Sequence, residues 1–87
     1  MNFGILETIK QAARERKVLQ IFYVDKSGEN REWRDVEPYS FSRDDGEEGL
    51  FAWDISKDGI RRFSIDRILQ AEITNNGYSP RYPIEIF

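Results

Sequence analysis

The 87-residue chain has no cysteine and no histidine, and it contains only one methionine and three prolines. Without cysteine and histidine, the chain has no disulfide, no thiolate nucleophile and no imidazole base, and nearly every kind of zinc site is excluded. The lack of cysteine fits a reducing cytoplasm. Lys10 and Arg14 interrupt the apolar residues near the N-terminus, so no run is long enough for a signal peptide or a membrane span. We therefore expect a cytoplasmic protein with no membrane partner, no metal and no cofactor.

The residue composition also argues against catalysis. The usual acid-base and nucleophilic sets lack histidine and cysteine here, and the carboxylates follow no motif spacing. Asp54 and Asp66 are the two carboxylates worth inspecting, and both are predicted to be turn or strand-end residues. We expect that the protein is not an enzyme.

Charge and aromatic content set the next limits. The net charge of −3 gives no general attraction to nucleic acid or to an acidic membrane, so a site for a polyanion must be a local patch. Basic residues cluster at 14–17 and 61–67, and acidic residues cluster at 44–48. Such clusters are most often solvated surface. Aromatic residues reach 14%, as a small domain needs for a dense core, and Trp33, Trp53 and Phe63 are predicted to be core residues.

Hydrophobic periodicity predicts one domain over residues 1–87, with a single helix ahead of five strands. Apolar residues spaced i, i+1, i+4, i+7 and i+8 from Ile5 predict a helix at about 3–17. Alternation and turn signals predict strands at about 18–24, 31–41, 50–55, 60–66 and 69–74. A bulge is expected near 35–38, a mobile acidic loop at 42–48, and a tight hairpin turn at Asp58-Gly59.

These elements predict a mainly β fold with one N-terminal helix, a small five-stranded antiparallel barrel of the SH3 or Sm type. The apolar tail at 78–87 is expected to pack across the barrel mouth or to add an edge strand. An oligomer contact is the alternative for the tail.

Three motifs, in this order and at these spacings, resemble a WYL domain. They are Arg34-x-x-x-Pro38-Tyr39, Leu50-x-Ala52-x-Asp54, and Arg61-x-Phe63-x-Ile65-Asp66-Arg67-Ile68. The resemblance covers about Ile5 to Thr74 and implies an Sm-like SH3 barrel. In most members it also implies a ligand-sensing module attached to a helix-turn-helix transcription regulator, with nucleic acid or another anionic ligand bound on an arginine-containing face.

The sequence departs from the WYL pattern at three places. When the chain is aligned through Ala52 and Asp54, Glu48 and Gly49 stand at the family's tryptophan and tyrosine, so only Leu50 of the eponymous triplet remains. Ser64 stands where a further arginine is common. Because no DNA-binding helices precede the motif in this sequence, the resemblance implies a divergent, free-standing member.

The arginines themselves indicate an anionic ligand. Arg61, Arg62 and Arg67 lie within seven residues, and a guanidinium offers a fixed fork of donors that suits phosphate or carboxylate oxygens. Arg61 and Arg67 share strand parity if the strand runs unbroken to Arg67. We predict a non-enzymatic binding module with a regulatory role, whose ligand is a single-stranded nucleic acid or a nucleotide. The predicted ligand-binding residues are Arg61, Arg62, Arg67, Arg34 and the ring of Tyr39, with Trp53 as another stacking ring.

Two alternatives remain open. The first is that two of these arginines form structural ion pairs, which explains them equally well. The pairs would be Arg67 with Asp66, and Arg34 with Asp35 or Glu37. The whole chain is alternatively a protein-interaction or assembly module that uses its apolar tail or an edge strand to contact a protein partner or a second copy of itself.

Overall fold

The structure is a computed structural model that describes residues 3–86; Met1, Asn2 and the last residue of the predicted tail, Phe87, lie outside the described residues. Residues 3–86 form one α-helix, five antiparallel strands and one 3-10 turn. In chain order these are α1 (Phe3–Glu15), β1 (Lys17–Val24), β2 (Arg31–Asp44), β3 (Glu47–Asp54), β4 (Gly59–Ser64), the 3-10 turn (Ile65–Arg67) and β5 (Ile68–Gly77). The mainly β fold with an N-terminal helix is confirmed.

The strands form one curled sheet in the order β4-β3-β2-β1-β5. With 14 residues, β2 pairs with β1 through its first half and with β3 through its second half. A register shift between Pro38 and Ser40 lets β2 bend, close to the predicted bulge. No ladder joins β4 to β5 in the described part of the chain, so the barrel is curled but not closed by strand pairing. Across the opening, the Ser64 backbone N–H donates to the Tyr23 hydroxyl at 3.0 Å.

The helix and the inner face of the sheet share one core. The predicted apolar face of α1 is buried, and it meets inward residues of all five strands. The core includes Ile5, Leu6, Ile9, Ala12, Ala13, Leu19, Ile21, Val36, Leu50, Ala52, Phe63 and Ile68. The helix ends at Glu15 rather than at 17 because Arg16 has a φ of 52°, a left-handed conformation that no α-helix continues through.

The predicted mobile loop at 42–48 is wrong, because these residues form a tight hairpin. Asp45 and Gly46 have φ values of 51° and 78°, and two successive positive φ values are what a type I′ turn requires. Asp44 pairs directly with Glu47 across this turn. The run of acidic residues indicated solvation, but it did not exclude two paired and exposed strands.

The predicted hairpin at Asp58-Gly59 connects β3 to β4, but its loop is longer than a two-residue turn. Residues 55–58 form the loop, and Asp54 pairs with Gly59 across its base. Asp58, with a φ of 53°, takes the left-handed position. The carboxylate of Asp54 accepts the Ser56 backbone N–H at 3.1 Å and so holds the start of the loop.

The last two predicted strands differ from the observed ones in length. β4 ends at Ser64, and the 3-10 turn follows where the strand was predicted to run to residue 66. The parity argument for Arg61 and Arg67 therefore fails. β5 continues to Gly77 instead of 74, because a register shift on β1 lets Lys17 pair with Gly77.

The tail after β5 pairs with the edge of β2 that β1 leaves free beyond Val36, in line with the expected edge pairing, although the pairing is a single bridge rather than a strand. Glu85 forms a parallel bridge with Ser40, and Ile86 is buried. No helix within residues 3–86 combines the length and the apolar character that crossing a bilayer requires.

The three aromatic residues predicted for the core have different positions. Phe63 is buried as predicted, whereas Trp53 is only half-buried and Trp33 is 45% exposed. Trp33 pairs with Phe22, and neither belongs to the core that holds their neighbours Ile21 and Val36. Side chains alternate along a strand, so the pair lies on the outer face, with ring centroids 5.2 Å apart.

Candidate functional site

Two adjoining clefts lie between the β1–β2 loop and β4. The first, the cationic cleft, has a volume of about 370 Å³ and is lined by Tyr23, Asp25, Lys26, Ser27, Arg61 and Arg62. The second, the mixed-charge cleft, has a volume of about 350 Å³ and is lined by Tyr23, Lys26, Asp44, Asp45, Glu47, Arg62, Ser64 and Arg67. Both share Tyr23, Lys26 and Arg62, so the clefts are two parts of one groove.

The two clefts differ in their balance of charge. Three cations and one carboxylate line the cationic cleft, whereas three cations and three carboxylates line the mixed-charge cleft. The one carboxylate of the cationic cleft, Asp25, is already used by its own loop: it accepts from the Ser27 hydroxyl at 2.6 Å and from the Asn30 amide at 2.6 Å. These two hydrogen bonds lower the pKa of Asp25 to about 2.

Arg61 is the loosely held cation of the groove. Its side chain is 45% exposed, and one terminal nitrogen lies 3.7 Å from Asp54 Oδ2. Its guanidinium carbon also lies 5.8 Å from the centroid of the Phe63 ring. These long contacts orient the side chain but leave most of its donors available to a ligand.

Arg62 is held more firmly, on the outer face of the sheet. Its Nε donates to Ser42 Oγ at 2.9 Å, and Nη2 donates to the Glu47 carbonyl at 2.8 Å. The guanidinium lies so close to Gly49 that a Cβ at Gly49 would be 2.5 Å from the Arg62 Cζ. Arg62 is thus fixed in direction, and glycine at position 49 gives it the room.

Arg67 and Glu47 belong to the mixed-charge cleft. Arg67 Nη1 donates to the Asp25 carbonyl at 2.7 Å, which ties the 3-10 turn to the β1–β2 loop. Glu47 accepts a hydrogen bond from the Ser64 hydroxyl. That bond, followed by the nearby charges of Arg62, Arg67 and Lys26, lowers the pKa of Glu47. The carboxylate of Glu47 therefore already interacts with the positive charges of this cleft.

Arg34 lines neither of these clefts. Its side chain is 14% exposed; Nη1 donates to Asp54 Oδ2 at 2.9 Å and Nη2 donates to Glu32 Oε1 at 2.5 Å. Asp54 is fully buried and lies between Arg34 and Arg61. The Arg34 contacts are those of the structural alternative, because they hold the β2–β3 pair and the start of the next loop together.

The aromatic rings proposed for stacking are covered. Tyr39 is 3% exposed, and its ring is in edge contact with those of Tyr78 and Tyr82, so its prediction as a stacking ring is corrected. Arg81 lies over the ring of Trp53, 4.3 Å from the centroid. Residues of the tail therefore contact both rings: Tyr78 and Tyr82 contact Tyr39, and Arg81 contacts Trp53.

Sequence reasoning missed two residues of the groove. Tyr23 lines both clefts, with its ring edge-on to Phe63 at 5.0 Å. Lys26 lies in the β1–β2 loop, and the curl of the sheet is what brings it opposite Arg61 and Arg62. Among the described residues, no group of three or more acidic side chains is arranged to hold a metal ion.

A curled five-stranded antiparallel sheet with an N-terminal helix packed into its core defines the class of small, mainly β, barrel-like domains. Residues 4–73 match the WYL domain family, and the chain belongs to that family. WYL domains are often regulatory ligand-binding modules of nucleic-acid-related regulators, and they are generally non-catalytic.

Comparison with curated proteins gave no match. Among solved structures, the chain is similar to proteasome accessory factor B/C (PafBC) of Arthrobacter aurescens, with a TM-score of 0.78 and 26% sequence identity. The similarity covers 97% of this chain and 14% of the PafBC chain, so this chain spans about one seventh of that protein's length.

Proposed function

We propose that this WYL domain is a non-enzymatic regulatory module that binds an anionic ligand, a nucleotide or a single-stranded nucleic acid, in the cationic cleft. One observation carries the proposal: three cations converge on this cleft, and its single carboxylate is already hydrogen-bonded within its own loop. A phosphate placed there meets positive charge without displacing an internal anion.

The three cations offer complementary donors. Arg62 is fixed by Ser42 and the Glu47 carbonyl, so it gives a preorganised direction for an incoming oxygen. Arg61 is half exposed and loosely held, so it is able to close on the ligand. Lys26 adds a point charge from the facing loop. Hydrogen bonds from such charged donors to phosphate are among the strongest in proteins.

The mixed-charge cleft limits which ligands fit. Asp44, Asp45 and Glu47 line it, and they oppose further negative charge beyond the cationic cleft. We therefore expect the site to hold one phosphate firmly, and a long polyphosphate to gain little over a single one. This arrangement also reconciles a local anion site with the net charge of −3.

The test is a titration of the isotopically labelled full chain, followed by NMR, with inorganic phosphate, a nucleoside monophosphate and a short single-stranded oligonucleotide at low salt. We expect amide shifts to concentrate at Lys26, Ser27, Arg61 and Arg62. Arg61→Ala should weaken binding about tenfold, which corresponds to about 1.4 kcal/mol. Arg14→Ala, which changes an exposed arginine of α1, is the matched control and should bind as the unaltered chain does.

Two results would contradict the proposal. One is the absence of saturable shifts with all three probes. The other is equal affinity in Arg61→Ala and Arg14→Ala, which would show that binding depends on total charge rather than on the cleft.

A further inference from the structure

The groove formed by the two clefts lies along the opening of the barrel. One wall is the end of β1 with the β1–β2 loop, which carries Tyr23 and Lys26, and the other wall is β4, which carries Arg61 and Arg62. No strand ladder joins these two walls in the part of the chain that the structure describes. Contacts across the opening therefore depend on side chains.

Hydrogen bonds cross the opening beside the groove. The Ser64 backbone N–H donates to the Tyr23 hydroxyl at 3.0 Å, and Arg67 Nη1 donates to the Asp25 carbonyl at 2.7 Å. Ser64 and Tyr23 both line the mixed-charge cleft. The first of these bonds therefore places the Tyr23 hydroxyl in the wall of the groove.

The Tyr23 hydroxyl uses only half of its hydrogen-bonding capacity, because a tyrosine hydroxyl both accepts and donates. Tyr23 accepts from Ser64, and no acceptor among the described residues receives its proton. The buried Tyr39 hydroxyl, by contrast, accepts from the Arg81 backbone N–H at 2.9 Å and donates to Glu37 Oε1 at 2.9 Å. Tyr23 therefore keeps one donor for a group that enters the groove.

The ring of Tyr23 holds this donor in place. It lies edge-on to the buried ring of Phe63, with centroids 5.0 Å apart, and the side chain packs against the hydrophobic core. Because the ring is held, the donor loses little conformational freedom when it meets an acceptor.

An anion in the groove meets donors from both walls. Arg61 and Arg62 belong to β4, and Lys26 belongs to the facing loop. Tyr23 lines both clefts and adds a neutral donor where they join. A phosphate carries several acceptor oxygens, so it is able to accept from both walls at once.

We propose that Tyr23 is a ligand-binding residue whose hydroxyl donates to an oxygen of the bound phosphate while it accepts from Ser64, so that the ligand joins β1 to β4 across the opening. This inference rests on the proposed function, because it takes a phosphate in the cationic cleft as given. It adds a chain of two hydrogen bonds, from Ser64 through Tyr23 to the ligand. Each bond of such a chain polarises the next, so ligand binding strengthens the bond between Ser64 and Tyr23.

The first measurement follows the Ser64 amide by NMR while inorganic phosphate is added to the labelled full chain. We expect its proton to move downfield as the bond to Tyr23 strengthens. Opening of this contact releases the ligand, so at a phosphate concentration of about ten times Kd the exchange of the amide with solvent should slow about tenfold. The Glu85 amide, which donates to the Tyr39 carbonyl away from the groove, is the control and should not respond.

The second measurement compares Tyr23→Phe with Tyr78→Phe by calorimetric titration with phosphate. Both variants lose a hydroxyl that bonds to the backbone, but the Tyr78 hydroxyl donates to the Pro38 carbonyl and lines neither cleft. Tyr23→Phe should weaken phosphate binding about tenfold, as the loss of a hydrogen bond to a charged group does. Tyr78→Phe should bind phosphate as the unaltered chain does.

Two results overturn the proposal and leave the proposed function standing. One is equal phosphate affinity in Tyr23→Phe and the unaltered chain, and the other is a Ser64 amide that does not respond to saturating phosphate. In both cases saturable shifts at Lys26 and Arg61 would still report an occupied cationic cleft. If those shifts are also absent, the proposed function fails and this proposal fails with it. The NMR measurement needs no substitution, so it decides the matter even if Tyr23→Phe does not fold.

Discussion

Two groups of arginine in this small domain perform different physical tasks. Arg34 faces the fully buried Asp54 and makes short contacts with it and with Glu32. Arg61 and Arg62 face an open cleft, and Arg61 meets Asp54 only at 3.7 Å. The comparison teaches that carboxylates and burial decide the role of an arginine: the first group holds the fold, and the second remains available to a ligand.

The largest effect is expected when the buried group is broken. Asp54→Ala leaves the guanidinium of Arg34 without its buried partner and removes the acceptor of the Ser56 backbone N–H. Loss of one partner of a buried ion pair costs about 3 to 5 kcal/mol of unfolding free energy. Urea unfolding of the full chain measures it. Arg61→Ala is the paired control and should change stability by less than about 1 kcal/mol, as expected of a partly exposed ion pair.

The next effect concerns the direction of Arg62. In Gly49→Ala the new methyl group would lie 2.5 Å from the Arg62 Cζ, so the flexible end of that side chain must leave Ser42 and the Glu47 carbonyl. We expect stable folding with phosphate binding weakened by about three- to tenfold, since a fixed donor becomes mobile. Calorimetric titration measures the affinity. Unchanged affinity would mean that the fixed direction of Arg62 does not matter for the ligand.

A smaller effect of opposite sign is expected in the mixed-charge cleft. Glu47→Gln removes a carboxylate that lies in the field of Arg62, Arg67 and Lys26, while the amide oxygen still accepts from Ser64. Binding of an anionic oligonucleotide should become tighter by about two- to fivefold at low salt and less so at high salt. Asp66→Asn, outside both clefts on the exposed side of the 3-10 turn, provides the comparison. Weaker binding in Glu47→Gln would reverse our assignment of that carboxylate.

The smallest effect is local to the β1–β2 loop. The pKa of Asp25 is lowered from 3.8 to about 2, so its contribution to loop order is fully present above about pH 4 and is lost as the pH falls through about 2. NMR titration of the Asp25 carboxyl carbon should give this low midpoint. Asn30→Ala removes one of its hydrogen bonds and should raise the midpoint, whereas a midpoint near 3.8 in the unaltered chain would contradict the loop geometry.

Much of the fold was predictable because apolar residues recur with the period of the helix or strand whose buried face they form. The spacing on α1 and the alternation around Phe63 predicted the helix and the strands, and the three motifs carried the family resemblance. The hairpin at Asp45-Gly46 was missed because its acidic composition indicated solvation, and composition does not report strand pairing.

The candidate site was predictable only in part. The density of arginine pointed to Arg61 and Arg62, which do line one cleft. The exposure of Trp33 and the burial of Tyr39 depend on the bend of β2. The position of Lys26 beside Arg61 and Arg62 depends on the curl of the sheet. The covering of Trp53 depends on Arg81, in the tail that follows β5. None of these long-range arrangements is visible in local sequence patterns.

The most direct test of the two-group account is the salt dependence of oligonucleotide binding, compared between the unaltered chain and Arg61→Ala. For single strands, each phosphate contact contributes about 0.7 to the slope of log affinity against log salt. We expect the slope to fall by about 0.7 in Arg61→Ala, with the free energy of unfolding unchanged within about 1 kcal/mol. An unchanged slope, or a large loss of stability in Arg61→Ala, would place Arg61 with the arginine that holds the fold and contradict the account.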